Sequence, residues 1–216
     1  MIRIQTTGDW QRAAMILRTS PARLRVAMDR AVLAEAHFFR RKVVEGFRTQ
    51  APGDRPFRPL SPTTLAIRRF RGFGGSKALI VRGDLRNSIT VFHRMTALGA
   101  EAWVGIRRNA RGRDGQKLVN IAEIHEFGSR PIVIPVTAAM RRFFFAAMNA
   151  AGNPGGGGGS GGFARGFLIV QIPARPFMRP VAEKWFDGPD AAARFQARVA
   201  ANMGGLLGLL GSNPRR

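Results

Sequence analysis

The stretch from Ser20 to Phe47 constrains this fold more than any other part of the chain. Leu24, Met28, Val32, Phe39, Val43 and Phe47 recur at helical spacing and make one apolar stripe. Ser20-Pro21 predicts the start: a serine caps free backbone amides, and a proline at the first helical position has no N–H to lose. Gln50-Ala51-Pro52-Gly53 predicts the stop, giving a helix over 21–48. Arg25, Arg30, Arg40, Arg41 and Lys42 fall largely off the stripe, as a solvated face requires. A helix this long with one apolar side needs a partner surface, and the residues that follow supply short strands and short helices.

Those elements can be read in order. Residues 1–19 form an N-terminal arm, beginning with alternating Ile2 and Ile4 and continuing as a weak helix. A Pro-rich loop over 51–60 leads to Ser61-Pro62 and a second helix ending near Phe70. Leu79-Ile80-Val81 reads as a strand, with Asp84 capping one helical turn through Ser88. Ile89–Phe92 and Glu101–Ile106 read as a hairpin, and Leu118–Phe127 as a short helix stopped by Gly128. Ile132–Pro135 is a strand, and Thr137 caps a Phe-rich helix over 138–149. Residues 155–162 are glycine apart from Ser160, so 138–165 reads as an insertion carrying a flexible loop. A strand over 166–172, a helix over 178–186, a last helix to Gly204-Gly205 and a frayed tail over 206–216 complete the chain. The expected fold is α+β: a long N-terminal helix packed on an antiparallel sheet, C-terminal helices and a glycine-rich insertion, all in one domain over 20–205.

Charge then narrows the function. The chain has 216 residues, with 35 basic against 13 acidic, for a net charge of +22. Only four of the basic residues are lysine, so the excess is arginine, which forms bidentate bonds with phosphates and carboxylates. A polyanion or an acidic protein partner fits that excess; so does a set of solvated faces. With no cysteine, disulfides, thiolate catalysis and cysteine-based zinc sites are excluded. The first residues lack a secretory signal and no apolar run spans a membrane, which implies a soluble protein made in the cytoplasm, without membrane contact.

Catalytic, cofactor-binding and metal-binding residues are not expected. His125-Glu126 begins like a zinc-protease pair, but that arrangement needs a histidine at position 129, which is Ser. The glycine run lacks the Lys-Ser/Thr of a nucleotide loop. The structural reading is stronger: His125 and Glu126 bond across a helix end, Phe127 enters the core and Gly128 stops the helix. In Ile172-Pro173-Ala174-Arg175-Pro176-Phe177, Pro173 ends a strand and Pro176 opens a helix. Phe177 is thereby driven inward, and Arg175 is held at a rigid corner to pair with Glu126. The two motifs should therefore meet.

Taken in order, Leu60-Ser61-Pro62-Thr63, Leu79-Ile80-Val81-Arg82-Gly83-Asp84-Leu85-Arg86-Asn87-Ser88, Ile124–Gly128 and Ile172–Phe177, with the long helix before them, carry a family likeness. The chain resembles the virion-morphogenesis and tail-completion proteins of tailed bacteriophages, including their Mu-like branch. The resemblance covers about residues 20 to 186. It implies a structural, non-enzymatic protein of the virion neck or tail end, synthesised in the host bacterial cytoplasm. It also implies a homo-oligomeric ring, typically hexameric, that completes the tail and joins it to the head while double-stranded DNA passes through the lumen. Its neighbours would be connector and tail-tube or tail-terminator proteins. The insertion and the high charge depart from the family pattern.

Loops 71–78 and 107–117 carry little apolar content and are expected to reach onto neighbouring subunits. Arg107, Arg108, Arg111 and Arg113 are assigned to a subunit or partner contact, because a lumen densely lined with arginine would grip the genome. Arg68, Arg69 and Arg71 are left open between a partner and DNA. The alternative is a basic nucleic-acid-binding protein whose scattered arginines neutralise phosphates.

Overall fold

The computed structural model describes residues 10–96, 99–152 and 166–208. The glycine run and the end of the C-terminal tail lie outside the described residues. Helix α1 (Trp10–Thr49) is followed by a 3-10 turn at Pro52–Asp54, α2 (Pro62–Phe70) and α3 (Asp84–Asn87). Next come strands β1 (Ile89–Met95) and β2 (Ala100–Ile106), then α4 (Leu118–Phe127) and β3 (Ile132–Pro135). Helix α5 (Ala138–Ala150), β4 (Phe167–Val170), α6 (Arg179–Trp185) and α7 (Pro189–Gly208) complete the order. The class is α+β, with two small antiparallel sheets, β1-β2 and β3-β4. Among the described residues, no helix is long and apolar enough to cross a membrane.

Helix α1 starts earlier than Ser20-Pro21 announces. It runs from Trp10 through Pro21, which sits inside it. A proline inside a helix costs ~3 kcal/mol through one lost hydrogen bond and a clash. The strong helix formers at Gln11-Arg12-Ala13-Ala14 and Met15 favour continuing despite that cost. The apolar stripe also needs correction. Leu24 and Met28 are 44% and 40% exposed, whereas Ala27 and Ala31 are fully buried. The buried line passes through Ala27, Ala31 and Glu35 before reaching Val43 and Phe47.

The chain forms two compact units. The first comprises residues up to Phe38, 91–103 and 188 onward. There, Asn202 Nδ2 of α7 donates to the Ala27 carbonyl of α1 at 3.2 Å, so the two helices touch where the side chains are smallest. Glu35, buried, receives Arg194 Nη2 at 2.9 Å and is also bonded by Arg198 Nε. Arg194 lies over the Phe38 ring at 4.6 Å. Arg25 Nη2 donates to the Thr96 carbonyl at 2.6 Å, tying α1 to the end of β1.

The second unit comprises residues 39–90 and 104–187. Its core is Val43, Phe47, Leu85, Ile89, Phe177 and Val181, with Phe57, Ile121 and Trp185 packed around it. Phe47 and Phe177 pack with their rings tilted by 49° and centroids 4.9 Å apart. In the β3-β4 pair, Ile132 faces Val170 and Pro135 faces Phe167. Helix α5 packs on α2, with Phe70 edge-on to Phe143 at 5.5 Å.

Leu79–Val81 forms a turn and not the expected strand. Leu79 has a φ of +59°, and the Gln50 amide grips the preceding peptide in both directions, donating to Ala78 O at 3.2 Å and accepting from Ala78 N at 2.5 Å. The left-handed conformation of Leu79 turns the chain just after that grip, where a strand would have to extend.

Candidate functional site

All features of the candidate site belong to the second unit. The two motifs expected to meet do meet. Arg175 N donates to the His125 carbonyl at 2.6 Å. Ser129 N donates to Ile172 O at 2.9 Å, and Ser129 Oγ accepts from Ile172 N at 2.8 Å. Gly128, at φ +85°, ends α4; a Cβ there would lie 3.3 Å from Ala174 N, so the crossing chain is also close to its limit.

The partners at this corner differ from those the sequence suggested. Glu126 does not pair with Arg175. Its carboxylate accepts the backbone N–H groups of Phe177 (2.9 Å), Met178 (3.1 Å) and Arg179 (2.8 Å). A buried carboxylate thus satisfies the free amides at the start of α6, where the helix dipole also favours negative charge. Arg175, 6% exposed, donates instead to the Arg58 carbonyl from Nε at 2.8 Å and to the Pro59 carbonyl from Nη2 at 3.0 Å. Phe127 does not enter the core but is 70% exposed. Buried Leu118 and Glu126, with Ile121 and Ala122 packed on the core, define the inward face of α4, and Phe127 falls outside it. Phe177 is 1% exposed, as its place directly after Pro176 suggested.

His125 is uncharged at neutral pH. Burial and the neighbouring Arg175 charge push its pKa down to about 4. Its Nδ1 is buried without a hydrogen-bond partner. Among the described residues, no group of three or more His, Asp and Glu is placed to hold a metal ion.

The third motif adjoins the same corner, since α3 packs on α4. Asp84 does not cap its own helix turn; Gly83, at φ +81°, occupies the cap position. The Asp84 carboxylate accepts from Arg113 N at 3.1 Å and lies 3.6 Å from Arg113 Nε. Loop 107–117 is accordingly folded on itself, contrary to its low apolar content. Gly112 N donates to Gln116 O, Leu118 N to Ala110 O and Arg111 Nη1 to Gly115 O. Backbone and carboxylate bonds do there what apolar packing does elsewhere. Arg107 and Arg108 are exposed.

Arg68, Arg69 and Arg71 lie at the end of α2. Gly72, at φ +74°, closes that helix: Gly72 N donates to Arg69 O and Phe73 N to Arg68 O. Arg68 Nη1 donates to Lys77 O at 2.8 Å, Arg71 sits over the Phe143 ring at 5.3 Å and Arg69 is exposed.

Sequence reasoning missed an open recess of about 1500 Å³ beside this corner. It is lined by residues 58–64, the end of α2, residues 81–85, His125 and the run from Leu168 to Arg175. Its signal in the sequence was faint: Arg58, Arg68 and Arg175 are far apart along the chain and only the fold gathers them.

No protein-family model, no curated protein and no solved structure matches the chain.

Proposed function

We propose that this chain is a structural virion protein of a tailed bacteriophage or prophage. It would form a ring at the neck or tail end, completing the tail and joining it to the head, with the genome passing through the lumen. The observation that carries the reading is how the motifs of the family likeness are used. Asp84 holds the 107–117 loop, Glu126 caps α6, and Gly128 and Ser129 lock the 172–177 segment. Their functional groups are committed to building a fixed corner, the work expected of an assembly part and not of a reaction centre.

In this reading Arg107 and Arg108 face a neighbouring subunit or an acidic partner, since charge complementarity at a docking face speeds encounter and fixes register. Arg111 and Arg113 hold the loop that presents them. The experiment is reversal of Arg107 and Arg108 to Glu in the phage genome, leaving Arg111 and Arg113 in place. Separate filled heads and tails, seen by electron microscopy, are expected. Mutant particles that assemble normally but eject DNA at an altered rate would place these arginines against DNA and overturn the assignment.

A further inference from the structure

The recess beside the corner gathers an excess of cations, five arginines against two aspartates on its wall. Arg58, Arg68 and Arg175 line it, with Arg71 and Arg82 also on its wall. None of Arg58, Arg68 and Arg175 forms an ion pair with a carboxylate among the described residues. Burial lowers the pKa of both Arg68 and Arg175, and the charges of Arg58 and Arg68 lower that of Arg175 further. Cations drawn together out of water repel one another, so an anion that enters gains from all of them at once. His125 adds a buried Nδ1 with no partner on the same wall.

The remaining lining is mixed: Asp84 and Asp114 bring two carboxylates, Asp84 already beside Arg113, and apolar and peptide groups fill the rest. Ile67, Leu79, Ile121 and Phe144 contribute side chains. Residues 168–174 border the recess, and among the described residues β4 is hydrogen-bonded to β3 alone. Gly166 O and both backbone groups of Ile172 bond toward the β3 side. By strand alternation, the N–H and C=O of Ile169 and Gln171 point the other way, as an unpaired strand edge.

We infer that this recess docks an extended, carboxylate-bearing segment of a partner protein, which adds to the edge of β4 and sets its acidic side chains against Arg58, Arg68 and Arg175. The inference does not rest on the phage reading. The occupant is another protein, because no two of the 13 acidic residues of this chain stand one or two positions apart, as an acidic strand face requires. Duplex nucleic acid is the poorer fit: Arg175 is 6% exposed, and a rigid duplex cannot carry its phosphates into a recess.

The test uses the full chain and a displayed library of random dodecapeptides. Selected sequences should be enriched in Asp and Glu alternating with apolar residues. The best of them, synthesised and labelled, should bind at least tenfold more weakly to Arg58→Glu/Arg68→Gln, while circular dichroism of that variant stays unchanged. Arg58→Gln alone, at an exposed position, should lose severalfold. Replacing the carboxylates of the peptide with amides should also cost at least tenfold. The inference is overturned by a library that yields no binder or only binders without carboxylates, by peptide affinity that ignores both variants, or by a 20-base-pair duplex that displaces the peptide and depends on the same arginines.

Discussion

Glu126 shows how a single buried carboxylate can organise a corner. Three backbone N–H groups converge on it, from Phe177, Met178 and Arg179. Hydrogen bonds to an ionised group are about twice as strong as neutral ones, and a stranded buried donor costs about 1–3 kcal/mol. Glu126→Gln removes the charge and turns an amide N–H toward those donors, so a loss of about 2–3 kcal/mol is expected in urea unfolding. A cost below about 0.5 kcal/mol would mean the bonds contribute little. This exceeds what an exposed Glu126–Arg175 pair would give, about 0–1 kcal/mol, and the difference follows entirely from burial. His125 gives a second residue-scale expectation. Its pKa in the folded chain, about 4, lies below its ordinary 6.5, so the unfolded chain takes up the proton first. The stability it supports is fully present above pH 6.5 and is lost as the pH falls toward 4. After allowance for solvent screening, the loss is on the order of 2 kcal/mol. Subtracting the pH–stability curve of His125→Asn from that of the unaltered chain should isolate it; parallel curves between pH 7 and 4 would count against it.

At the scale of elements, what was legible in the sequence is what local chemistry decides. Ser61 and Thr137 cap α2 and α5 through bonds to Thr64 N and Met140 N, and Gly128 stops α4. These signals sit within a few residues of their effect. Signals that depend on distant partners were misread. At Leu79–Val81 the expected strand is replaced by a bend at Leu79, next to the Ala78 peptide that Gln50 grips, and the bulky residues Leu24 and Met28 concealed the alanines that α1 actually buries. The meeting of the 124–128 and 172–177 motifs was legible because each carries its own backbone constraint. Which atoms pair across that meeting was not, since Glu126 and Arg175 each had backbone partners available that no spacing reveals. The alanine line supports a concrete expectation for α1. Ala31→Leu forces a large side chain into a fully buried site and should cost about 1–3 kcal/mol, whereas Leu24→Ala should stay within about 0.5 kcal/mol. Urea midpoints at constant m-value would measure both, and the reverse ranking would restore the bulky stripe as the buried face.

For the whole molecule, the proposed role is one of assembly. The second unit builds its corner from committed bonds and leaves apolar residues outside: Phe127 is 70% exposed, Phe167 73% and Ile169 68%. Exposed large apolar residues beside a cationic recess suit a chain whose surfaces are completed by neighbours. If this chain forms a neck ring, its abundance in the particle is fixed by symmetry and not by expression. Absolute quantification by mass spectrometry of purified virions, scaled to the major capsid protein, measures that abundance directly. About six copies per particle are expected for the closed ring proposed; one or two copies per particle, or none, would contradict it.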